Sequence, residues 1–70
     1  MVEYLLVPEV SSDRDARAIS TALRALPGVH LVTVSLNDRR VRVEHNGRVN
    51  AEELICAIND AGYQQVALLA

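Results

Sequence analysis

Apolar positions are spaced differently in different parts of the chain, and each spacing predicts a secondary-structure element. A continuous apolar run over 2–7, stopped by Pro8, predicts a first strand. Apolar and polar residues alternate over 29–36 and again over 40–45, which predicts two strands with one buried face each. A last apolar run over 63–69 predicts a fourth strand.

Two segments between these strands have the spacing of helices that are buried on one side. The first begins at Ser11 or Ser12 and ends at Pro27–Gly28, while the second begins with a capping box over Asn50–Glu53 and is closed by Gly62. The residues on the two apolar faces are Ala16, Ile19, Ala22, Leu23 and Leu26 in the first helix and Leu54, Ala57, Ile58 and Ala61 in the second.

The resulting order, strand–helix–strand–strand–helix–strand, predicts an α+β fold. It is a ferredoxin-like βαββαβ sandwich with a four-stranded antiparallel sheet and two helices on one face, because right-handed split βαβ units place both helices there. The chain of 70 residues leaves room for one domain, residues 1–70. Half of the residues are hydrophobic but only two are aromatic, so the core must consist of Val, Leu, Ile and Ala.

Charge and cysteine content exclude several classes of function. The net charge of -2 argues against nucleic acid as a partner, because nucleic acid binding needs a concentrated basic face. The single cysteine excludes an internal disulfide or a multi-thiol metal site. No apolar run approaches the roughly 20 residues that span a bilayer, and Glu3 and Pro8 interrupt any signal peptide. We expect a cytoplasmic protein without membrane insertion.

Three phrases in this order and spacing are similar to a known family. They are ALRALPGV (22–29), VTVSLNDRRVRV (32–43) and EELICAINDAGY (52–63). Together with the length and element order, they resemble the heavy-metal-associated domain, the family of small copper and mercury chaperones and of amino-terminal modules of metal-pumping ATPases. The resemblance covers Val2 to about Val66. It implies a role related to metal transport and a protein partner such as a metal-transporting ATPase or a related domain.

The family's metal loop departs from its usual pattern in this chain. Members carry Met-x-Cys-x-x-Cys between the first strand and first helix, and the resemblance places the two cysteine positions at Ser12 and Asp15 and the methionine position at Val10. Hydroxyl and carboxylate groups suit hard ions rather than the soft Cu(I) that the thiolates hold. We favour helix capping by Ser12, with Asp13 and Asp15 in the first turn. If a metal binds in this loop, Ser12, Asp13 and Asp15 are its candidate ligands.

Two functions remain in competition. The preferred one is a protein-interaction or regulatory module without soft-metal binding, enzymatic activity or cofactor, and with weak homodimerisation left open. Because related domains recognise one another through the loop and first helix, its candidate contact residues are Glu9, Arg14, Arg17 and Tyr63. The alternative is a metal-binding protein that holds Zn²⁺, Ni²⁺ or another divalent ion through oxygen or histidine ligands. No catalytic triad is arguable, and the acidic, glycine-free loop does not suit phosphate.

Four further side chains have one preferred and one alternative interpretation. His30 and His45 lie on adjacent predicted strands and could bind an ion together, but we expect His45 to be solvated at its strand end. Cys56 is expected on the outer face of the second helix, as a small surface residue rather than as a redox or cross-linking thiol. Tyr63 resembles the aromatic that the family places beside its metal loop. We expect its ring to pack over the helix ends, with its hydroxyl reaching solvent or the loop.

Overall fold

A computed structural model describes residues 1–69, and its elements have the predicted order. They are β1 (Val2–Leu6), α1 (Asp13–Arg24), β2 (Val29–Ser35), β3 (Arg40–His45), α2 (Ala51–Asp60) and β4 (Ala67–Leu69). One sheet has the strand order β2-β3-β1-β4, and every neighbouring pair is antiparallel. The ferredoxin-like α+β fold is therefore confirmed. The predicted domain extends to Ala70, which lies outside the described residues.

The register of the sheet separates an apolar face from a mixed face. Leu5 on β1 is opposite Val41 on β3, and Val41 is in turn opposite Val34 on β2. In the same way Tyr4 is opposite Arg42, so these two share the other face. Because side chains alternate between faces along each strand, the apolar row lies on the side that both helices cover.

Among residues 1–69, the core contains ten aliphatic side chains and no aromatic one, as the composition predicted. Each is at most 4% exposed, and strands, helices and connecting segments all contribute to one cluster. Two members, Val7 and Val10, belong to the connection between β1 and α1. Burial of both side chains anchors this connection, because returning either to water would forfeit about 1.5–3 kcal/mol. The other core residues are Leu5, Ile19, Leu23, Val41, Val43, Val49, Leu54 and Ile58.

Both helices begin at the residues that the capping pattern indicated. The Ser12 hydroxyl accepts a hydrogen bond from the Asp15 backbone N–H at 3.3 Å. Asn50 and Glu53 form the complete reciprocal capping box, with distances of 2.9 and 3.2 Å. Within residues 1–69, neither helix is long and apolar enough to cross a membrane.

The fourth strand is shorter than predicted, because its first half has other partners. We expected a strand over 63–69, but β4 spans only Ala67–Leu69. The backbone N–H groups of Gln64 and Gln65 donate to Glu9 Oε1 at 2.6 and 2.9 Å, so they are not available to β1. β2 also ends one residue earlier than predicted.

Gly28→Ala is expected to destabilise the domain more than Gly62→Ala. Both glycines have a positive φ, 95° and 107°, so either alanine is strained by about 1–2 kcal/mol. At Gly28 the new Cβ would also lie 2.5 Å from Asn46 Oδ1, an oxygen that accepts a hydrogen bond from the Arg48 N–H. At Gly62 no such contact lies within 4 Å among the described residues.

Urea unfolding measures the difference, which should be about 1 kcal/mol, the usual net contribution of a hydrogen bond such as Asn46–Arg48. Equal losses in the two variants would show that Asn46 moves aside without cost and would contradict this prediction.

Candidate functional site

Two hydrogen bonds join the connection between β1 and α1 to the turn between β2 and β3. Val7 N–H donates to the Arg39 carbonyl at 2.8 Å, and the Arg39 guanidinium donates to the Pro8 carbonyl at 2.9 Å. Arg39 has a φ of 56°, a left-handed conformation that is uncommon for a residue other than glycine. The backbone at 7–10 then turns back on itself through a hydrogen bond from Val10 N–H to the Val7 carbonyl at 3.1 Å.

The Asp15 carboxylate is the centre of a hydrogen-bond network at the start of α1. Its Oδ2 accepts from the backbone N–H of Ser11 at 3.0 Å and from the Ser11 hydroxyl at 3.2 Å. Its Oδ1 accepts from the Tyr63 hydroxyl at 2.5 Å. We expected Asp15 to be an acidic residue in the first helical turn behind the Ser12 cap. Its backbone N–H does donate to Ser12, but its carboxylate accepts from Ser11 and from Tyr63 after α2.

A second carboxylate, that of Glu9, accepts hydrogen bonds at the same end of the molecule. Glu9 Oε1 accepts from the backbone N–H groups of Gln64 and Gln65, which come directly after Tyr63. The α2–β4 connection is therefore joined at two points, to the first turn of α1 by Asp15 and to the β1–α1 connection by Glu9. No local sequence pattern signals either contact, because the partners are 48 to 56 residues apart.

These contacts move two pKa values away from their ordinary range in opposite directions. The Tyr63 hydroxyl, and after it the Ser11 backbone N–H, lower the pKa of Asp15 from its ordinary value of 3.8. The hydrogen bond to Asp15 is the main cause that raises the pKa of Tyr63 to about 12. The stability that the Tyr63–Asp15 hydrogen bond gives to the folded state is fully present above the ordinary Asp15 pKa of 3.8 and below the ordinary Tyr63 pKa of 10.0. It is lost as pH falls from 3.8 through the lowered pKa of Asp15, and again as pH rises from 10.0 through the raised Tyr63 pKa of about 12.

Comparisons with known proteins agree with this architecture. The sequence profile of the heavy-metal-associated domain matches residues 5–64. The chain belongs to the heavy-metal-associated family. No curated protein sequence gives a significant match to it.

Solved structures of other proteins are similar to this chain over almost its whole length. A yeast copper transporter domain, Ccc2a, studied in apo and Cu(I)-loaded states, is 28% identical, with 99% of this chain and 94% of that one covered and a TM-score of 0.92. The Atx1–Cu(I)–Ccc2a complex matches with 28% identity, the same two coverages and a TM-score of 0.87. CopZ metallochaperone is 26% identical, with coverages of 99% and 100% and a TM-score of 0.87.

The residues at the expected metal positions of this heavy-metal-associated domain do not fit a soft ion. Ser12 supplies a hydroxyl that caps α1, and Asp15 supplies a carboxylate that is already hydrogen-bonded through both oxygens. The one thiol, Cys56, is exposed on α2. Soft monovalent copper prefers thiolate and thioether sulfur, so this donor set has the wrong chemistry.

Hard or borderline ions have no assembled site among residues 1–69 either. No group of three or more His, Cys, Asp and Glu side chains in this part of the chain is arranged to hold a metal. Asp13 is exposed beside Ser12 in the first turn of α1.

The expectation that His45 is solvated is wrong. Its side chain is only 2% exposed, with Nε2 at 3.4 Å from Glu3 Oε2 and Nδ1 accepting from the Gly47 backbone N–H at 3.1 Å. His45 comes two residues after the buried Val43 on β3, so the alternation that predicted the core also required this burial. His30 is exposed at an irregularity in β2, and each histidine thus has a different environment.

The four candidate contact residues differ in accessibility. Arg14 and Arg17 are exposed on α1 and form no ion pair within the described residues. Glu9 is exposed, but its carboxylate already accepts two backbone hydrogen bonds. Tyr63 is partly buried and donates to Asp15, which is the loop contact that the sequence left as one option. The two arginines are therefore the groups most available to a partner.

The Tyr63–Asp15 bond can be tested by titrating a single tyrosine. Because the sequence has two tyrosines, Tyr4→Phe leaves only Tyr63 to ionise. With its pKa raised to about 12, Tyr63 should be only about one-tenth ionised near pH 11. An ordinary tyrosine would be about nine-tenths ionised there, and ultraviolet absorbance measures the fraction directly.

Adding Asp15→Asn to the Tyr4→Phe protein should increase the ionised fraction of Tyr63, because the carboxylate charge that opposes ionisation is removed. Asp13→Asn is the matched control, since Asp13 is exposed in the same helical turn and should leave the titration unchanged. Equal effects of the two substitutions would contradict the specific bond to Asp15.

Proposed function

We propose that this heavy-metal-associated domain does not carry a soft metal ion and acts as a protein-interaction or regulatory module in metal transport. The observation that carries this proposal is the chemistry of the loop: the two cysteine positions implied by the family hold Ser12 and Asp15, and both side chains already serve the protein's own hydrogen bonds. Binding an ion there would break these bonds and would provide only oxygen ligands.

A protein partner fits the surface that remains next to the loop. The Atx1–Cu(I)–Ccc2a complex shows that domains similar in fold to this chain bind to another protein. In this chain Arg14 and Arg17 are exposed on the first half of α1, beside the carboxylate of Asp13. Such a mixed-charge surface suits a weak, salt-sensitive contact. The proposed partner is the related domain of a metal-transporting ATPase, met in the cytoplasm, and the proposed role is non-catalytic.

Metal binding through oxygen or histidine ligands is the alternative function. It would require Asp15 to exchange its contacts with Tyr63 and Ser11 for an ion, or His45 to leave its buried position beside Glu3. Calorimetry with Zn²⁺, Ni²⁺ and Mg²⁺ distinguishes the two functions. Tight one-site binding that is lost in Asp15→Ala would favour the alternative over the present proposal.

The wild-type protein is expected not to remove Cu(I) from a coloured Cu(I) chelator, because its loop supplies no sulfur. Restoring the family's two thiols with Ser12→Cys and Asp15→Cys, in a Cys56→Ala background, is expected to give a protein that takes up Cu(I) stoichiometrically. Loss of the chelator's absorbance measures the transfer.

The matched control places two cysteines with the same spacing at the other end of α1, as Thr21→Cys and Arg24→Cys. Both positions are exposed, and this pair should compete for Cu(I) more weakly than the loop pair. Stoichiometric Cu(I) uptake by the wild-type protein, abolished by Asp15→Ala, would overturn the proposal.

Docking is tested by adding the unlabelled heavy-metal-associated domain of a metal-transporting ATPase from the same organism to this protein labelled with ¹⁵N. Chemical-shift changes are expected at Arg14 and Arg17, and Arg14→Glu should weaken binding several-fold at low salt. Arg48→Glu is the control, since Arg48 is exposed near Gly28, beyond the opposite end of α1. Equal weakening by both substitutions would show that only net charge matters, and no binding at all would refute docking to this partner.

A further inference from the structure

The outer faces of the two helices differ in charge. α1 has three exposed arginines and one exposed carboxylate, Asp13, whereas α2 has three exposed carboxylates and no basic residue. The three arginines of α1 and the three carboxylates of α2 form no ion pair within residues 1–69. These residues are Arg14, Arg17 and Arg24 on α1 and Glu52, Glu53 and Asp60 on α2.

An open groove of about 470 Å³ separates the two helices. Small or apolar side chains line much of it, and Glu53, Asp60 and the exposed Cys56 line the α2 side. The groove therefore combines an apolar surface with a negatively charged margin. Its apolar members are Ala22, Leu26, Ala57 and Ala61.

The direction of the helices fixes how these charges are arranged in space. Tyr63, just after α2, contacts Asp15 in the first turn of α1, so the end of α2 lies beside the start of α1 and the helices are antiparallel. Asp60, in the last turn of α2, is accordingly near the level of Arg17. Glu53, in the first turn of α2, lines the groove together with Leu26, near the level of Arg24.

We infer that the helix face binds a second copy of this chain, with α1 of each copy lying over α2 of the other. A two-fold axis parallel to the helices produces this arrangement and keeps each residue at its own level along the helix axis. Arg17 of one copy then faces Asp60 of the other, and Arg24 faces Glu53. Symmetry forms each contact twice.

Charge complementarity favours this occupant over other arrangements of the same face. A two-fold axis across the helices would instead place α1 on α1 and bring arginines against arginines, which is repulsive. The axis parallel to the helices places unlike charges opposite each other on both helices, because arginines outnumber carboxylates on α1 and α2 carries carboxylates alone. Exposed ion pairs contribute only about 0–1 kcal/mol each and the apolar groove is small, so the dimer is weak and salt-sensitive.

Charge exchange between two variants tests this dimer without any other partner, so its outcome is independent of the docking proposed above. Sedimentation velocity at low salt should show a wild-type dimer whose Kd rises at least about tenfold in Arg17→Glu and in Asp60→Arg, because each substitution creates two like-charge contacts. An equimolar mixture of the two variants should dimerise again, since in a mixed pair both contacts between positions 17 and 60 join a carboxylate to a guanidinium.

Arg40→Glu is the matched control, because Arg40 is exposed on the sheet face opposite the helices and should not affect the Kd. Circular dichroism checks that all variants remain folded. The proposal is overturned by a protein that stays monomeric at low salt, by a dimer that Arg40→Glu disrupts instead, or by a mixture that fails to re-associate.

Discussion

The need to bury one face of a sheet without any large aromatic side chain governs this domain. Ten aliphatic side chains fill the space between four strands and two short helices, and two of them, Val7 and Val10, come from the connection between β1 and α1. Their burial anchors the backbone on both sides of Pro8 and Glu9. The position of the candidate site thus depends on core packing as well as on its polar contacts.

Polar contacts join this connection and the start of α1 to the segment that follows α2. Asp15 accepts from Tyr63, and Glu9 accepts from the backbone of Gln64 and Gln65. These contacts also explain the short β4, because a backbone N–H that points to Glu9 cannot take part in the sheet. The same residues thus determine both the geometry of the loop and the length of the last strand.

The sequence predicted those features that depend on neighbouring residues. Periodicity located all six elements, and the capping residues Ser12 and Asn50 located both helix starts. It could not predict which polar groups meet across the fold, since the Glu9 contacts span 55 and 56 residues. The prediction for His45 was wrong for a different reason. Its position in the alternation of β3 indicated burial, but we expected a polar residue at a strand end to be solvated.

The oxygen groups of Ser12 and Asp15 take part in the protein's own hydrogen bonds. A thiolate pair is open to an ion because it has few hydrogen-bond partners, whereas a carboxylate next to backbone N–H groups and a hydroxyl is saturated by them. In Asp15 both carboxylate oxygens accept hydrogen bonds from the protein itself. Exposed charges without an ion-pair partner in the described residues include those on the outer faces of α1 and α2, together with Arg40 and Arg48 elsewhere on the surface. Exposed charges select and orient protein partners, and the proposed recognition by this domain therefore rests on the charges of the helices rather than on the loop.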